Sequence, residues 1–116
     1  MWDPPDNVSE SLDPSPPANR LTVGTEYTCI LACPQQYQHR EYQLRVMDQQ
    51  DFESDPDEQR KKNLSMLPAQ MDGNGILTGQ FTPQADWPQQ VRIGFADPRD
   101  KLYPFGLGGT EVYEVG

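Results

Sequence analysis

The sequence predicts a mainly β fold: a single antiparallel β-sandwich of about six strands, with one short helix and an extended, acidic, proline-rich N-terminal tail. Three observations point there. Tyr42, Leu44 and Val46 alternate with Gln43, Arg45 and Met47, and Val91, Ile93 and Phe95 alternate with Arg92 and Gly94; a period of two is that of a strand with one face buried. Asp72-Gly73-Asn74-Gly75 is a strong hairpin signal, because Asp, Asn and Gly accept the left-handed backbone that tight turns demand. Length is the third, since 116 residues suit one domain and a sandwich needs about a hundred.

Taken in order, residues 1–20 carry Pro4, Pro5, Pro14, Pro16 and Pro17 among Asp3, Asp6, Glu10 and Asp13. That composition favours a solvated, extended tail, with Trp2 and Leu12 as its anchors if it docks on a partner. The sandwich domain then spans 21–116. Residues 22–32 are rich in β-branched and aromatic types (Val23, Tyr27, Thr28, Ile30), bend at Gly24 and stop at Pro34. A polar loop over 35–40 leads to a second strand over 41–48, expected to return as the hairpin partner of the first. Asp55, Pro56 and Glu58 have the form of a helix start, and Glu58 with Lys62 adds a favourable pair four apart, so a short helix is expected over 56–64. Segments 66–71 and 76–82 flank the Asp72 turn as a further hairpin. Pro83, Trp87 and Pro88 mark a loop before a strand over 91–96; Asp97-Pro98-Arg99-Asp100 turns the chain again. Residues 102–109 are apolar and glycine-rich without a period, and 110–115 can form the last strand.

Only 34% of the residues are apolar, but they concentrate in the alternating segments, so a modest core is expected rather than disorder. The formal charge of −9 repels phosphate backbones and anionic membrane surfaces, which argues against direct nucleic-acid or membrane binding. No run of about 18 apolar residues offers a membrane span. Met1-Trp2-Asp3-Pro4-Pro5 lacks the basic and apolar regions of a signal peptide. Synthesis in the cytoplasm is expected, with a signal-independent route or association with a virion as the ways out.

Cys29 and Cys33, four apart on an extended strand, would sit about 13 Å from each other, beyond the roughly 7 Å that a disulfide spans. They read as two buried thiols on one face, although a strand end at Cys33-Pro34 would reopen the disulfide. A zinc site is disfavoured: there is no second cysteine pair, and His39 is the single histidine. Asp51, Glu53, Asp55 and Asp57 begin like a calcium loop, but Pro56 stands where that loop needs glycine and Lys62 where it needs a bidentate glutamate. His39 has no nucleophile elbow near it, and Gly106-Leu107-Gly108-Gly109 lacks the lysine of a phosphate loop. No catalytic residue, metal or cofactor is expected.

Binding is then left to surfaces. Trp87, Tyr103 and Phe105 lie beside prolines and glycines in loops, and large aromatics are favoured interface anchors. The competing role is to plug the ends of the sandwich. Asp51, Glu53, Asp55 and Asp57 offer an acidic surface able to occupy a partner's basic groove, although Arg60, Lys61 and Lys62 follow and partly neutralise it.

The stretch Asp72-Gly73-Asn74-Gly75-Ile76-Leu77-Thr78-Gly79-Gln80-Phe81 resembles the turn and following strand of transthyretin-like and carboxypeptidase-regulatory-like sandwiches. Gly24-Thr25-Glu26-Tyr27 with Tyr42-Gln43-Leu44-Arg45-Val46 is similar to their opening strands. No functional residue carries over. The resemblance implies an Ig-like or transthyretin-like sandwich serving as a binding module in bacterial secretion spikes, phage tails or surface assemblies. The expected function is non-enzymatic protein–protein interaction, as an adaptor or accessory component of a bacterial secretion or phage-like assembly. Sheet-edge pairing or the aromatic loops would make the contact. The alternatives are an acidic inhibitor or nucleic-acid mimic, and a small carbohydrate-binding sandwich.

Overall fold

The computed structural model describes residues 9–38, 40–53, 63–99 and 107–116. Among them are nine strands: β1 (Ser11–Asp13), β2 (Arg20–Leu21), β3 (Tyr27–Ala32), β4 (Gln43–Asp48), β5 (Asn63–Pro68), β6 (Gln70–Met71), β7 (Ile76–Phe81), β8 (Gln90–Ala96) and β9 (Leu107–Val115). One short helix, α1 (Gln49–Glu53), follows β4 directly. The strands form two sheets, ordered β1-β3-β7-β6 and β2-β9-β8-β4-β5, and the protein is a mainly β, two-sheet sandwich as expected.

Alternation builds the core. On β3, Tyr27, Cys29 and Leu31 are buried while Thr28 and Ile30 are half-exposed. Leu77 and Phe81 of β7 join them from the same sheet; Leu44, Val46, Val91, Ile93, Phe95, Leu107 and Tyr113 face them from the other. Burying each such side chain contributes roughly 1.5–3 kcal/mol, which is what holds the two layers face to face. Gly79 of β7 lets the layers approach closely: a Cβ there would meet the Leu44 Cβ at 2.8 Å.

The Asp72 turn closes the β6–β7 hairpin as the sequence predicts, with Gln70 opposite Thr78 and Met71 opposite Leu77. The Asp72 carboxylate accepts the Asn74 and Ile76 amides at 2.8 and 2.9 Å, and Gly75 takes φ +78°, which only glycine adopts without strain. Cys29 and Cys33 are both buried and free.

The structure departs from the sequence expectations at four points. The strands over 22–32 and 41–48 are not a hairpin: β3 pairs β1 and β7, whereas β4 pairs β5 and β8 in the opposite sheet. Alternation says which face of a strand is buried and nothing about its neighbour. The chain crosses between the sheets over a 3-10 turn (Gln35–Tyr37), which the Tyr42 hydroxyl pins by donating to the Tyr37 carbonyl at 2.8 Å.

The extended tail was expected to reach residue 20, yet β1 lies against β3 and buries Leu12, and β2 pairs in parallel with the end of β9 and buries Leu21. A single leucine among prolines and acids leaves no periodic trace, although it is enough to seat a three-residue edge strand.

Residues 56–62 of the expected helix over 56–64 lie outside the described residues, and its last two, Asn63 and Leu64, belong to β5 instead. The helix that is described starts earlier, where the Asp48 carboxylate accepts the Gln50 amide at 3.0 Å, the bond of an N-cap. The strand count also rises from six to nine, because β1, β2 and β6 are two or three residues long.

Candidate binding groove

The segment 63–71 serves both sheets. As β5 it is the edge strand beside β4, and after Pro68 it changes sheets to become β6 beside β7. The Ala69 amide donates to the Tyr42 carbonyl at 3.1 Å and fixes the crossing. Because β6 covers only Leu77 and Thr78, it leaves Gly79, Gln80 and Phe81 of β7 without a strand on that side among the described residues. One flank of the sandwich is therefore open between β5 and the end of β7.

A groove of about 480 Å³ occupies that opening. Leu64, Ser65 and Leu67 form one wall, Gln80 and Phe81 the other, and Glu26, Gln84 and Trp87 its end. A bulge explains the first wall. Val46 pairs with Ser65 but Met47 pairs with Asn63, so Leu64 is the extra residue and turns onto the groove side with its neighbour. Leu67 is 41% exposed and Met66, on the outer face, 53%.

The bulge and Pro68 are familiar guards of sheet edges, since each interrupts the row of backbone donors that a foreign strand would read. They leave Ser65 to Leu67 between them. What the edge presents is thus side chains over a groove rather than a long bare ladder.

Trp87 is the one predicted aromatic anchor within the described residues; Tyr103 and Phe105 lie outside them. It is half-buried, and its ring stacks on Phe81 with centroids 6.3 Å apart and planes 16° from parallel. Phe81 stacks in turn on Tyr27 at 5.7 Å. The three rings run from core to surface, so Trp87 both plugs the sandwich end and borders the groove with the part that stays exposed.

Of the predicted acids, Asp51 and Glu53 are on α1, and Asp55 and Asp57 fall outside the described residues. Asp51 is not among the residues that line the groove. The helix is tied to the sheet through Gln49, whose side-chain carbonyl accepts Arg92 Nε at 2.5 Å.

The opposite end of the sandwich holds a second cleft, of about 420 Å³, lined by Arg40, Tyr42, Pro68, Met71, Leu77 and Pro98. Of the charged residues that line it, Arg40 is paired with a buried acid. Asp97, 1% exposed, accepts Arg99 Nε at 3.0 Å, Arg99 Nη2 at 2.8 Å, the Arg99 amide at 2.9 Å and Arg40 Nη1 at 3.4 Å. The Arg99 hydrogen bonds hold its carboxyl down at about 2 against the cost of burial. Burial pushes the Cys33 thiol and the Tyr42 hydroxyl up, so both are neutral at ordinary pH. This arrangement ties the loop before β4 to the loop after β8, and the cleft offers no activated nucleophile. Among the described residues no group of histidine, cysteine and acidic side chains could hold a metal ion.

Comparison of the chain with protein-family models, with curated proteins and with solved structures finds no match. The reading of the site rests on its geometry. Of the residues that line the groove, the sequence singles out Trp87 and gives no sign of Leu64, Leu67 and Glu26. Pro68 inside an otherwise strand-like run was the signal for a change of pairing partner.

Proposed function

We propose that the protein is a non-enzymatic protein-binding module whose binding site is the groove between β5, β7 and Trp87. One observation carries this reading: an edge strand with two exposed large apolar side chains, Met66 and Leu67, runs beside a groove closed by a stacked tryptophan. Edge strand and aromatic loop meet at one place, so a single extended segment of a partner can use both. The groove is too small for a whole globular face and suits one or two side chains of such a segment. The transthyretin-like resemblance of the sequence supports an adaptor role in a secretion or phage-like assembly.

The test is selection from a displayed random-peptide library on the intact protein, with Leu67→Glu as the counter-selection bait. Leu67 is exposed, so the variant keeps its fold, which its melting temperature verifies. Recovery of related peptides that bind the protein and not the variant is the expected result. A library that yields nothing, or peptides indifferent to Leu67→Glu, overturns the reading.

A further inference from the structure

The lining of the groove is chemically lopsided. Glu26 is the only charged residue among the described residues that form it, and the rest of its polar surface comes from Ser65, Gln80, Thr82 and Gln84. Each of these offers a side-chain oxygen, and no lysine, arginine or histidine stands among them. An indole completes the set: Trp87 is backed by Phe81 and keeps part of its ring exposed at the groove.

Indole, carboxylate and neutral acceptors around one small space are the complement of a cation with several donors. The geometry points to an arginine of the partner segment as the occupant of this groove, its guanidinium against Trp87 and its donors shared between Glu26 and the glutamine oxygens. A guanidinium fits better than an ammonium because it is planar, stacks on an aromatic ring and spreads five donors. An apolar residue two positions away along the extended segment covers Leu67, since alternate side chains of a strand share a face. The net charge of −9 acts in the same direction, drawing basic segments in and keeping second copies of the chain apart.

This inference rests on the groove being the protein-binding site, and one titration series separates the two. In a Trp2→Phe background Trp87 is the single indole, and its fluorescence reports on the groove directly. The probes are capped heptapeptides Gly-Leu-Gly-X-Gly-Leu-Gly with X as arginine, lysine, citrulline or glutamate. Arginine is expected to bind about tenfold more tightly than citrulline, with lysine between them and a further loss for glutamate; Glu26→Gln removes most of the difference, and added salt weakens the arginine and lysine peptides but not the citrulline one. Citrulline and arginine peptides binding equally, with Trp87 responding to both, overturns the arginine assignment and leaves the groove as the binding site. No response to any probe overturns the assignment, and with the peptide library equally empty the groove falls too. Glu26 is exposed, so its variant tests recognition and not folding.

Discussion

Leu67 and Leu44 stand directly opposite each other on neighbouring strands, yet Leu44 is 1% exposed and Leu67 is 41% exposed. Both occupy the inward face. The difference is what lies across the sandwich: Leu44 meets Gly79 of β7, whereas Leu67 lines the groove. The same residue type in the same register is thus core in one strand and groove lining in the next.

Truncating the two leucines separates these roles. Leu44→Ala is expected to cost about 2–5 kcal/mol, the range for a fully buried leucine, and Leu67→Ala under about 1 kcal/mol. Urea unfolding of both variants checks this. Equal losses would mean that the groove is closed in solution.

Gly79→Ala is expected to destabilise by about 1–3 kcal/mol, because the new methyl would sit 2.8 Å from the Leu44 Cβ and the two layers would have to part. Combining it with Leu44→Ala should recover part of the loss, since the second change removes the Leu44 Cδ2 and Cγ, 3.0 and 3.3 Å from the new methyl, and leaves only the Cβ contact. A double-mutant cycle measures that coupling, and strict additivity would contradict the close approach.

Asp97 makes stability depend on acid. Its carboxyl titrates at about 2 in the fold against an ordinary value of 3.8, so the folded state favours the charged form. The contribution, on the order of 2 kcal/mol, is fully present above the ordinary value and is lost as pH falls from there through the folded value. Asp97→Asn should flatten that part of the stability curve between about pH 4 and pH 2 while lowering stability at neutral pH. Denaturation midpoints across that range for both proteins provide the comparison.

Leu12→Asp is expected to release β1, because a charge would replace a side chain that is 8% exposed. The cost should be about 2–4 kcal/mol, with faster amide exchange confined at first to β1 and the facing edge of β3. Unchanged protection of β3 would show that Leu12 does not hold the strand.

How much was legible follows from what each signal encodes. Alternation at Tyr42 to Val46 and at Val91 to Phe95 marks two strands, and β4 and β8 lie there, but burial runs through Leu44 to Met47 and Ile93 to Ala96 because both strands are covered on their second face as well. The Asp72 turn is written in local chemistry and survives intact. Pairing is a long-range choice, and so β3 and β4 were joined as a hairpin although they belong to different sheets. Strand β9 was seen only in its second half. Its first half bends at Gly108 and Gly109, with φ of +80° and +75°, and the register against β8 slips there, so period two is broken in a strand that is nonetheless paired. In the groove, Trp87 was visible as a large aromatic in a loop. Leu64 falls at the end of the expected helix and Leu67 inside the expected 66–71 strand, and nothing local reveals that they meet at a groove.

Because the chain changes sheets across Ala69, between Pro68 and Gln70, β5 and β6 are two lengths of one thread. A segment pulling on β5 therefore loads the β6–β7 hairpin as well, and the sandwich resists as a laced boot does, through a lace that passes from one side to the other. Traction applied at the groove is shared by both layers instead of peeling one away.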